Sequence, residues 1–151
     1  MFGAYASIAD VKGVLGITAT TDDTMIRKIC ESASRSIDQY CNRYFMTQSA
    51  TKYLDGSGTR LWIHDLLTVT TLKTDEDGDG TYENTFQVAT EPIDYLLYGT
   101  GLEDSYNTYP KTRIEIAEDS DYGSFASGIK RGVEIAGLWG YGDGISATPY
   151  I

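Results

Sequence analysis

The chain has 151 residues, of which 41% are hydrophobic, and 22 acidic residues against 12 basic ones give it a formal charge of −10. This length and hydrophobic content predict one folded domain with its own core. The excess of acidic residues, with no basic cluster to offset it, argues against a protein that binds the phosphate backbone of nucleic acids independently of sequence. Residues 1–10 lack the pattern of a signal peptide, and no apolar run approaches the roughly 20 residues of a membrane span.

A short helix is predicted at Ser7–Leu15. The Ser7 hydroxyl and the Asp10 carboxylate, three residues apart at the start of the helix, are spaced to cap each other's backbone amides as in a capping box. Gly16 then supplies the left-handed conformation with which many helices end.

A long amphipathic helix is predicted from about Asp22 to Tyr44, with Thr20 or Thr21 as its N-cap. Its apolar side chains recur at steps of three and four residues, which places them on one stripe of the helix. That stripe needs a partner surface, from the β-rich remainder of the chain, from another subunit or from a helix beyond the end of this chain. The positions expected to pack there are Met25, Ile26, Ile29, Ala33 and Ile37.

The two cysteines, Cys30 and Cys41, both fall within the long helix. They are eleven residues apart, or about 16 Å along the helix axis. A disulfide requires Cα atoms within about 7 Å of each other, so the two thiols cannot pair within this helix. We expect both to be buried and reduced, which fits synthesis in a reducing cytoplasm.

From about Ser49 the chain is rich in Thr, Tyr, Val and Ile, with Gly, Asp and Asn at short intervals, which is typical of short antiparallel strands joined by turns. The predicted fold class is α+β, a short helix and a long amphipathic helix packed with an antiparallel β-sheet domain. We expect a single domain with a helical part (1–45), a β part (46–145) and an extended tail (146–151). The predicted strands are Thr51–Leu54, Arg60–Ile63, Thr68–Lys73, Thr85–Val88, Asp94–Tyr98, Arg113–Ala117 and Arg131–Tyr141.

Within the β part, the turn Asp55–Gly58 is predicted to join the first two strands as a hairpin. The last strand is the clearest one, because Val133, Ile135 and Trp139 alternate onto one face and are expected in the core. Two polar stretches are expected to be exposed loops, Gly99–Pro110 and Glu118–Gly128.

Residues that could carry catalysis are few. The one histidine, His64, precedes Asp65, and a single His beside an Asp is more often a hydrogen-bonded structural residue than half of a catalytic pair. Without a second histidine, a poised cysteine or a nucleophile-elbow serine, no catalytic triad can be assembled. No phosphate-binding glycine motif leads from a strand into a helix. We therefore expect no enzyme.

The motif with the most specific functional interpretation is the acidic sequence DEDGDGTYE. Asp75, Asp77, Asp79 and Gly80 match positions 1, 3, 5 and 6 of an EF-hand-type loop, which gathers oxygen ligands around calcium. Position 12, however, is Phe86 where the loop requires glutamate, and strands rather than helices flank the motif. We interpret it mainly as an exposed turn, with a weak calcium site as the alternative and no other cofactor expected.

Several segments follow one another in a specific order over nearly the whole chain. They are the two helices, the segment IDQYCNRYF that ends the second helix, the sequences YLDG and LWI, the DGDGTYE turn, the segments IDYLL and TRIE, and the final GLWGYG strand. In this order they resemble the head–tail connector (adaptor) proteins of tailed bacteriophages and related proteins of gene transfer agents.

The resemblance implies a structural virion protein without enzymatic activity. Its subunits are expected to form a ring, commonly of twelve, that docks under the portal at the capsid vertex. The ring would extend the DNA channel, let DNA pass without sequence-specific binding, and present a surface to the tail-side neck protein. Assembly in the host cytoplasm and a final position in the neck of the virion follow from this role.

One departure from the family concerns the C-terminal end. In such proteins a Pro-containing turn and a further helix usually follow the WGYG strand, whereas residues 146–151 follow it here. Either these residues form a short extended tail, or the sequence is part of a longer product. As a tail, its last residues are a candidate contact with a partner protein: Pro149, Tyr150 and Ile151.

Two other classes remain open. A head-closure or tail-completion protein of the same machine usually has a small β-barrel core, which would not need the long N-terminal helix. A calcium-dependent β-module that binds carbohydrate or protein would use exposed aromatic side chains, such as Tyr106, Tyr109 and Tyr122, and would gain stability from calcium.

Overall fold

The computed structural model describes residues 4–87, 93–99 and 109–141. In this part of the chain two helices are followed by six strands, and all strand pairs are antiparallel, which confirms the predicted α+β class. The chain divides into a helical unit, which reaches Met46, and a β unit, which begins at Thr47. The helices are α1 (Ile8–Leu15) and α2 (Asp23–Cys41), and the strands are β1 (Gln48–Leu54), β2 (Arg60–Thr74), β3 (Asn84–Phe86), β4 (Tyr95–Gly99), β5 (Lys111–Ile116) and β6 (Val133–Trp139).

Helix α1 begins and ends as predicted. The Asp10 N–H donates to the Ser7 hydroxyl at 3.0 Å, and the Ser7 N–H donates to the Asp10 carboxylate at 3.1 Å, which completes the capping box. Gly16 ends the helix in the left-handed conformation, with φ of 66°, and its N–H bonds to the Lys12 carbonyl. The boundaries of α1 are thus explained by its local sequence.

Helix α2 ends earlier than the predicted helix at residues 22–44. Asn42 adopts the left-handed conformation, with φ of 48°, and its N–H turns back to the carbonyls of the last helical turn. Asn tolerates this conformation better than most residues, which explains the stop. The predicted cap at Thr20 or Thr21 is wrong, because Asp22 is the N-cap and its side chain makes no capping hydrogen bond. Its negative charge still lies at the end of the helix where the dipole favours it.

The sheet has the strand order β1-β6-β2-β5-β4, and β3 pairs with the far end of β2. The prediction for β6 is confirmed, since Val133, Ile135 and Trp139 are all buried. Gly137 stands in the same row, where a Cβ would lie 2.1 Å from the Thr68 carbonyl oxygen. The backbones of β6 and β2 therefore approach each other at a point that only glycine permits.

The two predicted strands Arg60–Ile63 and Thr68–Lys73 are in fact one continuous strand, β2. Leu66, in the segment between them, pairs with β5 on one side and β6 on the other. The register of both pairings shifts next to Leu66, and Leu66 and Leu67 are both buried. Two buried residues in succession break the alternation from which a strand is recognised, so the sequence pattern splits β2 in two.

The predicted hairpin at Asp55–Gly58 is wrong, because β1 pairs with β6 along its whole length and not with β2. The loop before β6 holds this turn. The Gly56 N–H donates to the Ile129 carbonyl at 2.7 Å, and the Ser57 N–H donates to the Phe125 carbonyl at 2.8 Å. Burial of β6 between β1 and β2 is a long-range effect, which the local turn sequence does not report.

The segment Glu118–Gly128 is irregular, as predicted, but it is not simply an exposed loop. Phe125 is fully buried, and its ring centre lies 5.4 Å from that of Phe86. Tyr122 also packs against Phe86, with its ring centre 4.3 Å from that of Phe86. These aromatic side chains cover the inner face of the sheet, so Tyr122 is a packing residue and not an exposed contact. The buried core consists of Leu61, Leu66, Leu72, Phe86, Tyr95, Ile114, Phe125, Val133, Ile135 and Trp139.

Replacing Gly56 with alanine is expected to destabilise the protein by at least about 2 kcal/mol. The added Cβ would lie 1.6 Å from the Ala126 carbonyl oxygen, so the backbone must shift and weaken the bond to the Ile129 carbonyl. Urea unfolding measures this change in the free energy of unfolding.

Gly58→Ala is the matched control, because nothing lies within 4 Å of a Cβ at that position. We expect Gly58→Ala to change the free energy of unfolding by less than about 1 kcal/mol. Similar effects from the two substitutions would contradict the observed position of the turn.

Candidate functional site

The buried face of α2 is polar. Its buried residues are Cys30, Ser34 and Asp38, spaced four residues apart. Tyr5 lies along them, since its N–H donates to the Ser34 hydroxyl at 2.9 Å and its own hydroxyl donates to the Asp38 carboxylate. We call this arrangement the Tyr5 clasp, and it fixes the segment before α1 along α2.

Two further contacts strengthen the Tyr5 clasp. The Arg35 guanidinium lies 3.0 Å from the Asp38 carboxylate, and the Phe45 N–H donates to the Tyr5 hydroxyl at 3.2 Å. Burial and the bond to Asp38 raise the pKa of the Tyr5 hydroxyl. The clasp therefore gives the buried Ser34 and Asp38 side chains polar partners within the helical unit itself.

Four of the five predicted packing positions lie beside this polar face and are exposed. The exposed fraction is 64% for Met25, 61% for Ile29 and 46% for Ile37, and Ala33 is exposed as well. Tyr40 is 93% exposed. Successive residues of a helix are rotated by about 100°, so Tyr40 and these four exposed side chains form one apolar stripe about 120° wide along α2. The stripe is the expected surface, but packing within the helical unit does not bury it.

Ile26, predicted to pack with the stripe, is half-buried. Cys30 is buried as predicted, but the prediction for Cys41 is wrong, since that thiol is exposed. Cys41 is the last residue of α2, and the chain leaves the helix at Asn42 before another turn can cover it.

Residues 75–83 form the acidic turn, which begins directly after β2. Asp75 is buried, and its carboxylate accepts hydrogen bonds from the Gly78 N–H at 2.6 Å and the Gly80 N–H at 2.8 Å. Both glycines have positive φ, 80° and 92°, which turns their amides inward. The side chain of Asp75 thus organises the turn from within.

Burial alone would raise the pKa of the Asp75 carboxyl. The hydrogen bonds from Gly80 and Gly78 stabilise the charged form and outweigh that effect, so the pKa lies below its ordinary value.

Two more aspartates of the acidic turn bind its backbone. The Asp79 N–H donates to the Asp77 carboxylate at 3.1 Å, and the Thr81 N–H donates to the Asp79 carboxylate at 2.6 Å. Oxygens of Asp75, Asp77, Asp79 and Glu83 lie within 4.8 Å of one another, so these residues could hold a hard cation such as calcium. Each aspartate already has a role in the turn without a cation.

An open cleft of about 370 Å³ lies beside the acidic turn, and the sequence gives no indication of it because its walls come from three separate segments. The Arg131 guanidinium lies over the Tyr53 ring at 4.8 Å, and the Tyr82 hydroxyl donates to the Arg131 carbonyl at 2.8 Å. The Lys130 ammonium lies at the rim and pairs with Asp55 at 2.7 Å. The cleft thus combines aromatic walls with charges of both signs.

A second unpredicted surface lies on the outer face of the sheet, where β2, β5 and β4 are adjacent. Trp62 pairs with Arg113, and Arg113 pairs with Tyr98 on the next strand. The Arg113 guanidinium lies 5.5 Å from the Trp62 ring centre and 4.4 Å from that of Tyr98. Trp62 itself is 67% exposed, which is unusual for so large an aromatic residue.

Charged side chains border this row. Glu115 accepts the Arg60 Nε–H at 2.5 Å, and the Arg113 Nε lies 3.0 Å from the same carboxylate oxygen. Two arginines thus share one acid, which leaves a surplus positive charge. We call the whole surface the Trp62 patch: Arg60, Trp62, Tyr98, Arg113 and Glu115.

The remaining predicted residues contribute no site in the described part of the chain. His64 is exposed on β2. Tyr109 is half-buried, with the Lys111 ammonium 4.4 Å from its ring centre. Neither described helix has the length and hydropathy of a membrane-spanning segment. The predicted positions outside the described residues are Val88, Tyr106, most of Gly99–Pro110, and the tail residues Pro149, Tyr150 and Ile151.

Comparison with known proteins gives the family. A family model described as "Head completion protein" matches residues 4–138. The chain belongs to the head completion protein family. No curated protein and no solved structure matches it.

Membership in the head completion family confirms the resemblance to a family of phage head–tail connector proteins. Head completion proteins are structural phage proteins and are not known as enzymes. This chain is therefore a structural component of a phage, with a role in head closure or connection.

Asp75→Asn is expected to lower the melting temperature at pH 7, because an amide accepts hydrogen bonds through one oxygen instead of two. The folded-state pKa of Asp75 lies below its unfolded value, so its contribution is present above about pH 4 and declines as the pH falls further. The difference between the wild type and Asp75→Asn should therefore shrink below pH 4 in thermal melts.

Glu76→Gln, at an exposed position of the same turn, serves as the control and should leave the melting temperature unchanged. The melts are repeated with about 10 mM calcium, which is at least tenfold above the dissociation constants of about 0.1–1 mM that are typical of weak extracellular-type sites. A large calcium-dependent rise in the wild type, absent in Asp75→Asn, would show that a cation and not the internal hydrogen bonds holds the turn.

Proposed function

We propose that this head completion protein is a ring-forming connector of the phage neck. In this role, about twelve copies dock on the portal, extend the DNA channel and join the capsid to a tail-side neck protein. Family membership supports the location at the phage head. The apolar stripe of α2 supports the ring.

The apolar stripe is the main support for ring formation, because it extends along much of a helix of 19 residues and is exposed. The Tyr5 clasp already occupies the polar face of the same helix, so the stripe is the face left for a partner. An exposed apolar surface of this extent marks a site of protein association. In a ring, every subunit offers the same helix to its neighbours, so each copy supplies the cover for the next.

The negative charge of the protein supports the proposal that the ring forms a channel for DNA. With 22 acidic and 12 basic residues, each subunit has a formal charge of −10. A ring of such subunits repels the phosphates of DNA, so DNA passes through without being held.

Ile29→Glu is expected to prevent ring formation, because it buries a charge in the proposed helix interface. The wild type at high concentration should show rings with a central hole in negative-stain electron microscopy and a multimeric mass in light scattering. Ile29→Glu should remain a folded monomer, since Ile29 is 61% exposed in the single chain.

Gln39→Glu is the matched control. It adds the same charge to α2 at an exposed position outside the stripe, and it should leave the rings intact. Equal loss of rings in both variants would indicate a general charge effect and contradict an interface at the stripe. A wild type that stays monomeric at every concentration would contradict the ring itself.

The channel proposal predicts that the assembled wild type does not bind double-stranded DNA, even at about 50 mM salt, where contacts to phosphates are strong. Fluorescence anisotropy with labelled duplexes measures this binding. A dissociation constant below about 1 μM would contradict a channel that only lets DNA pass.

A further inference from the structure

The Trp62 patch has the composition of a binding hot spot. Tryptophan, tyrosine and arginine are the residues that most often dominate the energy of protein interfaces. Here the three are held in one row by strand pairing and by stacking of Arg113 between two rings. The ion pairs of Glu115 with Arg60 and Arg113 fix the geometry in advance. The patch is therefore preorganised, which lowers the entropic cost of binding.

The charge of the patch limits its partner. Two arginines and one glutamate leave it positive, whereas the chain as a whole is strongly acidic. A surface of this kind fits an acidic protein segment that projects far enough to reach it. Two copies of this chain repel each other overall, so a contact between surfaces of opposite local charge offsets part of that repulsion.

The acidic turn is such a segment. Its acidic side chains Glu76, Asp77, Asp79 and Glu83 are all exposed. No ion pair within the described ranges involves Glu76 or Glu83. The hydrogen bonds that the Gly78 and Gly80 N–H groups donate to the Asp75 carboxylate hold the turn in one conformation, so it also presents a fixed surface.

The turn and the patch lie at opposite ends of β2. Trp62 is near its start, and Asp75 follows its last residue, so roughly 40 Å of extended strand separates them. They cannot meet within one subunit. Complementary surfaces at opposite ends of a rigid element produce a head-to-tail contact, which closes into a ring when the rotation between copies is suitable.

We infer that the Trp62 patch binds the acidic turn of a second copy of this chain. The inference rests on the proposed ring and adds a second contact between adjacent subunits, distinct from the apolar stripe of α2. It assigns the turn an electrostatic role that needs no calcium. It also explains why Trp62 is exposed in the single chain, since the neighbouring subunit covers it.

A charge exchange tests the contact. Arg60→Glu, at a side chain 58% exposed, reverses a charge of the patch, and Glu76→Lys with Glu83→Lys reverses two charges of the turn without touching its internal hydrogen bonds. We expect each set alone to weaken self-association about tenfold or more in analytical ultracentrifugation. Combined in one chain, the substitutions should associate at least about threefold more tightly than either set alone, because the acid introduced in the patch then faces the two lysines introduced in the turn.

Two further variants separate this contact from other causes. Lys28→Glu, an exposed basic residue of α2 outside both surfaces, makes the same change as Arg60→Glu and should leave association unchanged. Trp62→Ala removes the apolar centre of the patch and should weaken association at least tenfold without changing the charge. Thermal melts establish that every variant is folded.

The outcomes distinguish this contact from the ring itself. If Ile29→Glu dissociates the rings while the patch and turn variants do not, the inferred contact is wrong and the ring stands. If the combined variant does not associate more tightly than either set alone, the two surfaces do not pair. A wild type without self-association overturns the ring and this contact together. DNA binding by the wild type that Arg60→Glu abolishes would make the patch a nucleic-acid surface and overturn the inference.

Discussion

Strand β6 is the constraint on which the β unit depends, because both of its edges and one of its faces are occupied. It pairs with β1 on one side and β2 on the other, and its inward side chains lie in the core. Gly137 lets the backbone of β2 approach it closely. The Trp139 indole N–H donates to the Ala50 carbonyl at 2.9 Å, which fastens β1 to the same strand. A β1–β2 hairpin is incompatible with this arrangement, since β6 lies between the two strands.

The elements predicted well are those whose causes are local. The Ser7–Asp10 capping box and the alternation of β6 depend on residues a few positions apart, and both appear as expected. The turn at Asp55–Gly58 and the division of β2 were predicted wrongly, because long-range pairing and a bulge decide them. Turn-forming residues show that the chain bends at a point but do not show which strands meet there.

The same distinction applies to the functional surfaces. The acidic turn was recognisable because its aspartates are close in sequence and bind their own backbone. The Trp62 patch combines residues from three strands, so only the registers of β2, β4 and β5 bring it together. On α2, the apolar stripe follows from periodicity, but the burial of Ser34 and Asp38 does not. Their burial depends on Tyr5, about thirty residues away in sequence.

The length of β2 has a mechanical consequence. Its first half pairs with β5, and its second half pairs with β6 and β3, so one strand of 15 residues connects all parts of the sheet. When β2 and a strand paired with it are pulled in opposite directions along the β2 axis, the hydrogen bonds between them are loaded in shear and resist together. Tension across the sheet would instead break them one after another. The β unit is therefore stiffest along the axis of β2.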